Sequence, residues 1–115
     1  MEKQKGQYLG TEVSGKWWKR YRERNYFSRG NGEWWYDEQG FYFLRYFAKE
    51  PIFIPLNSII GFKIGKWHSG RWALGNNIFK IIWKKDNLEL SSGFIVSNGR
   101  EEAVKLKEIL AGRIK

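Results

Sequence analysis

From about residue 25 onward, apolar and polar positions alternate with a period of two in short runs separated by turn residues, the pattern of consecutive half-buried strands. The predicted strands cover residues 25–28, 33–36, 41–47, 52–54, 58–64, 78–85 and 88–96. Arg29-Gly30-Asn31-Gly32 reads as a tight hairpin turn, because its two glycines accept positive φ. Asp37-Glu38-Gln39-Gly40 reads as a second turn, and Asp86-Asn87 as a two-residue turn between the last two strands. Pro55 restricts the fourth run to a short or edge strand. In the fifth, strict alternation puts Ile60, Phe62 and Ile64 on one side and Ile59, Gly61 and Lys63 on the other. Residues 65–77 form a polar and aromatic loop.

The period changes at the C-terminal end. Ala103, Leu106, Leu110 and Ile114 recur at three and four residues, which predicts one amphipathic helix over residues 99–113. Asn98 and Glu101 have capping-box spacing, and Glu101 with Lys105 forms a favourable i,i+4 pair. Residues 1–15 are polar and carry Gly6, Gly10 and Gly15, so they read as a flexible arm ahead of a single domain over residues 16–115. No apolar run has the length of a signal-peptide core or a membrane-spanning helix. The expected fold is mainly β with one C-terminal helix: seven antiparallel strands in a curved sheet or partly open barrel, capped by the helix.

Charge adds a direction to this picture. The formal net charge is +9, and it comes from two stretches: residues 1–32 contribute +5 and residues 60–85 contribute +6, separated by a stretch of −2. The final 30 residues are neutral overall. Such a chain is drawn to anionic partners: nucleic acid, an anionic membrane or an acidic protein. Aromatic residues cluster as well, 13 of 21 falling between Trp17 and Phe47, most of them on predicted strands where a core needs rings. Trp17, Trp18, Trp67 and Trp72 are the rings a core does not obviously claim.

Two constellations are candidate ligand-binding sites. The first is Lys16, Lys19, Arg20, Arg22, Arg24 and Arg29, interleaved with Trp17, Trp18 and Tyr21; it can stack bases or sit at a headgroup layer. Its structural alternative has Trp17, Trp18 and Tyr21 packed on the domain with the cationic heads in water. The second is Lys66, Trp67, His68, Arg71 and Trp72 around Gly70. Its alternative is a cross-strand Trp67–Trp72 pair with His68 as an incidental loop residue. Without cysteine, and with His68 as the sole histidine, thiolate nucleophiles, disulfides and Cys- or His-based metal sites are not expected. No carboxylate lies between Glu50 and Asp86 to orient His68 as a base, so neither catalysis nor a cofactor is expected.

Seven strands followed by one helix is the order of the pleckstrin-homology (PH) superfold. The chain resembles its bacterial PH-like and GRAM-type members in Gly40-Phe41-Tyr42-Phe43, in Ile54-Pro55-Leu56-Asn57-Ser58-Ile59, and in Leu88-Glu89-Leu90-Ser91-Ser92-Gly93-Phe94 leading to Glu101-Glu102-Ala103 and Leu106. The resemblance covers residues 25–114 and leaves residues 1–24 as an added arm, helix or extra strand. It implies a non-catalytic binding or assembly module of unknown ligand, with homo-oligomers formed through sheet edges. The basic and aromatic loops suit an anionic lipid surface or a protein partner, and the absence of cysteine and of a targeting segment suits the cytoplasm, including the inner membrane face. In members that bind phosphoinositides, a lysine precedes a [K/R]-x-R run at longer spacing. Here Arg22-Glu23-Arg24 matches the run, but only five residues separate it from Lys16. The rival expectation is a small basic β-barrel binding single-stranded nucleic acid through stacked rings. Against it stands the terminal helix, which is out of place for a five-stranded oligonucleotide-binding barrel.

Overall fold

The computed structural model describes residues 2–21, 26, 28–68, 71–72, 77–96 and 100–114, with the backbone alone at positions 17, 67, 71 and 72. The strands are β1 (Gln4–Val13), β2 (Lys16–Arg20), β3 (Gly30–Tyr36), β4 (Gly40–Arg45), β5 (Ile52–Pro55), β6 (Ile59–Gly65), β7 (Trp67–His68), β8 (Arg71–Trp72), β9 (Ile78–Lys85) and β10 (Leu88–Ile95), followed by helix α1 (Arg100–Arg113). Seven form one antiparallel path, β5-β4-β3-β1-β10-β9-β6; β2 pairs with β1, and β7 with β8 as a separate ribbon. A single 3₁₀ turn, Leu56–Ser58, joins β5 to β6, the two ends of that path. So short a link makes the sheet curl until its edges face each other, and it stops short of closure.

The core lies inside the curl. Phe41, Phe43, Ile52, Ile54, Phe79, Ile81, Trp83, Leu90 and Phe94 are buried there, and Ala103, Leu106 and Leu110 of α1 complete it. The helix packs on β6 and β9 with the three-and-four spacing read from the sequence. Its described part begins at Arg100; residues 97–99, with the proposed cap, lie outside the described residues. Both expected turns at 37–40 and 86–87 form. The Asp37 carboxylate accepts from the backbone N–H groups of Gln39 and Gly40, and Asp86 and Asn87 both have positive φ.

The segment expected to be a flexible arm contains the central strand instead. β1 pairs with β3 along one edge and with β10 along the other. Residues 8–13 are all buried, because the core covers one face and further side chains cover the other. A strand covered on both sides need not alternate in hydropathy, and here the polar residues have specific partners. Thr11 belongs to a buried hydroxyl chain. Tyr8 O–H donates to Tyr26 C=O at 2.5 Å, which leaves Thr11 to donate to Tyr8 at 2.5 Å, Ser92 to donate to Thr11 at 2.6 Å and Trp83 Nε1–H to donate to Ser92 at 3.0 Å. Every hydroxyl in the chain gives one hydrogen bond and accepts one.

Four further expectations change. Gly30, Asn31 and Gly32 are strand residues paired with Tyr8, Gln7 and Gly6, so no hairpin lies at 29–32. Gly32 is needed for close packing, since a Cβ there would lie 2.1 Å from Leu44 O. The predicted strand at 25–28 is absent at its described residues. Tyr26 instead plugs the open seam, its O–H donating to Phe53 C=O at 2.7 Å and its ring 5.7 Å from that of Trp83, while residues 25 and 27 lie outside the described residues. In β6, Ile59 pairs with Trp83 and Gly61 with Ile82, leaving Ile60 as a bulge that is 52% exposed while Phe62 and Ile64 turn inward. Finally, not all strand rings enter the core. Trp35, Tyr42 and Phe53 stack on the outer face of β3, β4 and β5, with centroid separations of 5.1 and 4.9 Å.

Candidate functional site

The first basic stretch divides according to burial. Ser14 and Gly15, both at positive φ, turn the chain from β1 into β2. Lys16, Trp18 and Lys19 are then exposed, Trp18 to 65%, whereas Tyr21 is buried. Arg20 is half-buried: it is the cross-strand partner of Glu12, and its guanidinium lies over Gly10. Arg29 Nε–H donates to Leu9 C=O at 2.9 Å. Both arginines are thus drawn onto the β1 backbone. Arg22 and Arg24 lie outside the described residues.

The second stretch folds back on the sheet. Trp67 pairs with Trp72 and His68 with Arg71 in the β7–β8 ribbon, and Lys66 before it is exposed. The side chains of Trp67, Arg71 and Trp72 lie outside the described part. His68 is fully buried, so it is neither an incidental loop residue nor open to a substrate from solvent. Its socket is built by two glycines. Leu9 and Gly10 bulge opposite Gly93, with Gly10 at φ +102, and its carbonyl meets His68 Nε2 at 2.9 Å. A Cβ at Gly93 would lie 2.5 Å from the imidazole, which therefore rests flat on the bare β10 backbone.

A carbonyl only accepts, so Nε2 carries the proton and Nδ1, 3.8 Å from Glu12 Oε1, presents its lone pair. Desolvation pushes the His68 pKa down to about 4, outweighing the upward pull of Glu12 and the Gly10 bond, and Lys80 and Arg29 push the same way as burial. The imidazole is a neutral clamp at pH 7. It joins the two basic stretches, with Arg20 and Arg29 on β1 to one side and Lys80, across from Lys63, to the other. Burial also lowers the Lys80 pKa; Glu12 opposes this and Lys63 adds to it.

A second surface lies at the open seam. A cavity of about 270 Å³ is lined by Tyr26, Phe53, Trp83, Glu50, Pro51 and Lys84 among others. It brings the β4–β5 connection beside the β9–β10 hairpin, whose Glu89 C=O accepts from Ser14 N–H of the β1–β2 turn at 2.8 Å. Three connections therefore gather at one end of the sheet. Exposed there are Trp18, Tyr46, Phe47 and Leu88, of which only Trp18 stood out in the sequence. Among the described residues, no group of three or more His, Asp or Glu could hold a metal, and no helix is long and apolar enough to cross a membrane.

A curved antiparallel sheet with an open seam, closed over by one C-terminal helix and carrying cations and rings on its connections, defines a domain of the PH superfold. The model of the bacterial PH domain-like family matches residues 1–110, and the chain belongs to that family. The match includes β1, in keeping with its central place. A comparison with curated proteins found no match. Membership of the family indicates a binding or assembly module and names no ligand.

Proposed function

We propose that this domain is a non-catalytic module that attaches peripherally to anionic membrane surfaces through its basic and aromatic connections. The observation that carries the reading is the β1–β2 hairpin, where exposed Trp18 stands between exposed Lys16 and Lys19. An indole suits the headgroup layer, and each ammonium group near an anionic surface contributes about 1 kcal/mol. The His68 clamp supports it by holding the second basic stretch against β1.

The test is co-sedimentation with phosphatidylserine-containing vesicles against neutral phosphatidylcholine vesicles. The Lys16→Glu/Lys19→Glu variant is expected to lose at least about tenfold in affinity for the anionic vesicles. Undiminished pelleting of that variant would rule out the hairpin as the contact. Binding of single-stranded oligonucleotides in place of vesicles would favour the nucleic-acid reading, and binding of neither would point to a protein partner.

A further inference from the structure

Phe47 is placed as no packing requirement would place it. β4 ends at Arg45, and Ala48 N–H donates back to Arg45 C=O at 3.0 Å, closing a four-residue turn. Phe47 is the third residue of that turn, with φ +68. This position favours glycine or asparagine, because a β-carbon at positive φ crowds the backbone, and a bulky aromatic there is an outlier. The ring gains nothing locally in return: Phe47 is 106% exposed, more than any other large hydrophobic residue described. Such strain persists only where the surrounding structure imposes it, and an apolar ring held in water there marks a candidate contact with something outside the chain.

We propose that Phe47 is an apolar anchor that enters the acyl–headgroup boundary of a membrane when the domain docks. This rests on the membrane reading above and adds to it a contact that is not electrostatic. Two observations favour a lipid layer over a protein pocket. The adjacent Tyr46 is 47% exposed and amphipathic, as suits an interface. Lys49 and, across the seam cavity, Lys84 supply cations beside it for an anionic surface. The Phe47 turn follows β4, which runs in the same direction as β1, so it leaves the sheet at the end that carries the β1–β2 hairpin.

The chain has no cysteine, so Phe47→Cys gives a single attachment point for an environment-sensitive dye such as NBD. On phosphatidylserine-containing vesicles the dye is expected to shift to the blue and to be quenched by spin-labelled acyl chains; a dye at Asn57, on the β5–β6 turn, is expected to do neither. Phe47→Gly is expected to bind these vesicles about tenfold more weakly, the scale of losing one buried aromatic side chain. The same variant is expected to melt no lower than the parent, since glycine accepts the turn without strain.

Equal vesicle affinity for Phe47→Gly and the parent, or an unquenched dye at position 47, would overturn the anchor and leave the membrane reading intact. A parent that never pellets with anionic vesicles would overturn the membrane reading itself and the anchor with it. If sedimentation equilibrium showed a dimer that Phe47→Gly converts to monomer, the ring would be a subunit contact and the proposal would fail.

Discussion

Ser92 is a short polar side chain on a core-facing position of β10, and its role follows from counting donors. It accepts from Trp83 Nε1–H and donates to Thr11, so the run of hydroxyls from Trp83 to the Tyr26 carbonyl has one direction. Burial raises the Tyr8 phenol well above its ordinary pKa, which keeps its proton available for that carbonyl. Ser92→Ala is expected to cost about 1–3 kcal/mol, because it strands the indole N–H and leaves the Thr11 hydroxyl without its donor. The urea midpoint should fall with an unchanged m-value. His68 makes a second prediction. A histidine with pKa near 6.5 when unfolded and about 4 when folded binds more protons in the unfolded chain between those values. Its stability contribution is therefore fully present above pH 6.5 and is lost as pH falls toward 4, by up to roughly 3 kcal/mol. Thermal melts across that window should show the slope in the parent and a flatter profile in His68→Gln. Neither role was legible in the sequence: a Ser, a Thr and a lone His carry no periodicity, and the bonds that Ser92 and His68 make span 9 to 81 residues.

At the scale of elements, local pattern worked where a strand is regular and one of its faces is wet. β9 alternates Phe79, Ile81 and Trp83 inward with Lys80 and Lys84 outward, and the helix shows its buried stripe plainly. The pattern failed at β1, buried on both faces, and at the bulge in β6, where one extra residue sends Ile60 outward. It also misread Gly30 and Gly32, since a glycine required for close strand packing looks the same as one required for a turn. The position of β1 has a direct consequence. It connects the β3-β4-β5 side of the sheet to the β10-β9-β6 side. Deleting residues 2–10 is expected to abolish cooperative unfolding, followed by circular dichroism. A shortened chain that still melts cooperatively would show that the strand is dispensable, as an arm would be.

The whole molecule brings together connections that are far apart in sequence. The β1–β2 hairpin, the Phe47 turn and the β9–β10 hairpin gather at one end because the sheet curls on itself, and the β7–β8 ribbon is folded onto β1 by one imidazole. Attachment through such a surface combines two terms with different responses to salt. The cations are screened over about 10 Å at 0.1 M salt and about 3 Å at 1 M, whereas the rings are not screened. Vesicle binding by the parent should therefore fall steeply with salt to a residual level, and that residual binding should be weaker in Phe47→Gly. Complete loss of parent binding at high salt would mean that no apolar contact is made. By itself the sequence determined the β class, most strand positions, the C-terminal helix and the two basic stretches, because each depends on near neighbours and on alternation between core and water. The tertiary structure decided the rest. The central place of a polar first strand, the neutral buried histidine and the outward Phe47 all depend on which distant surfaces meet, and hydropathy along the chain does not encode that.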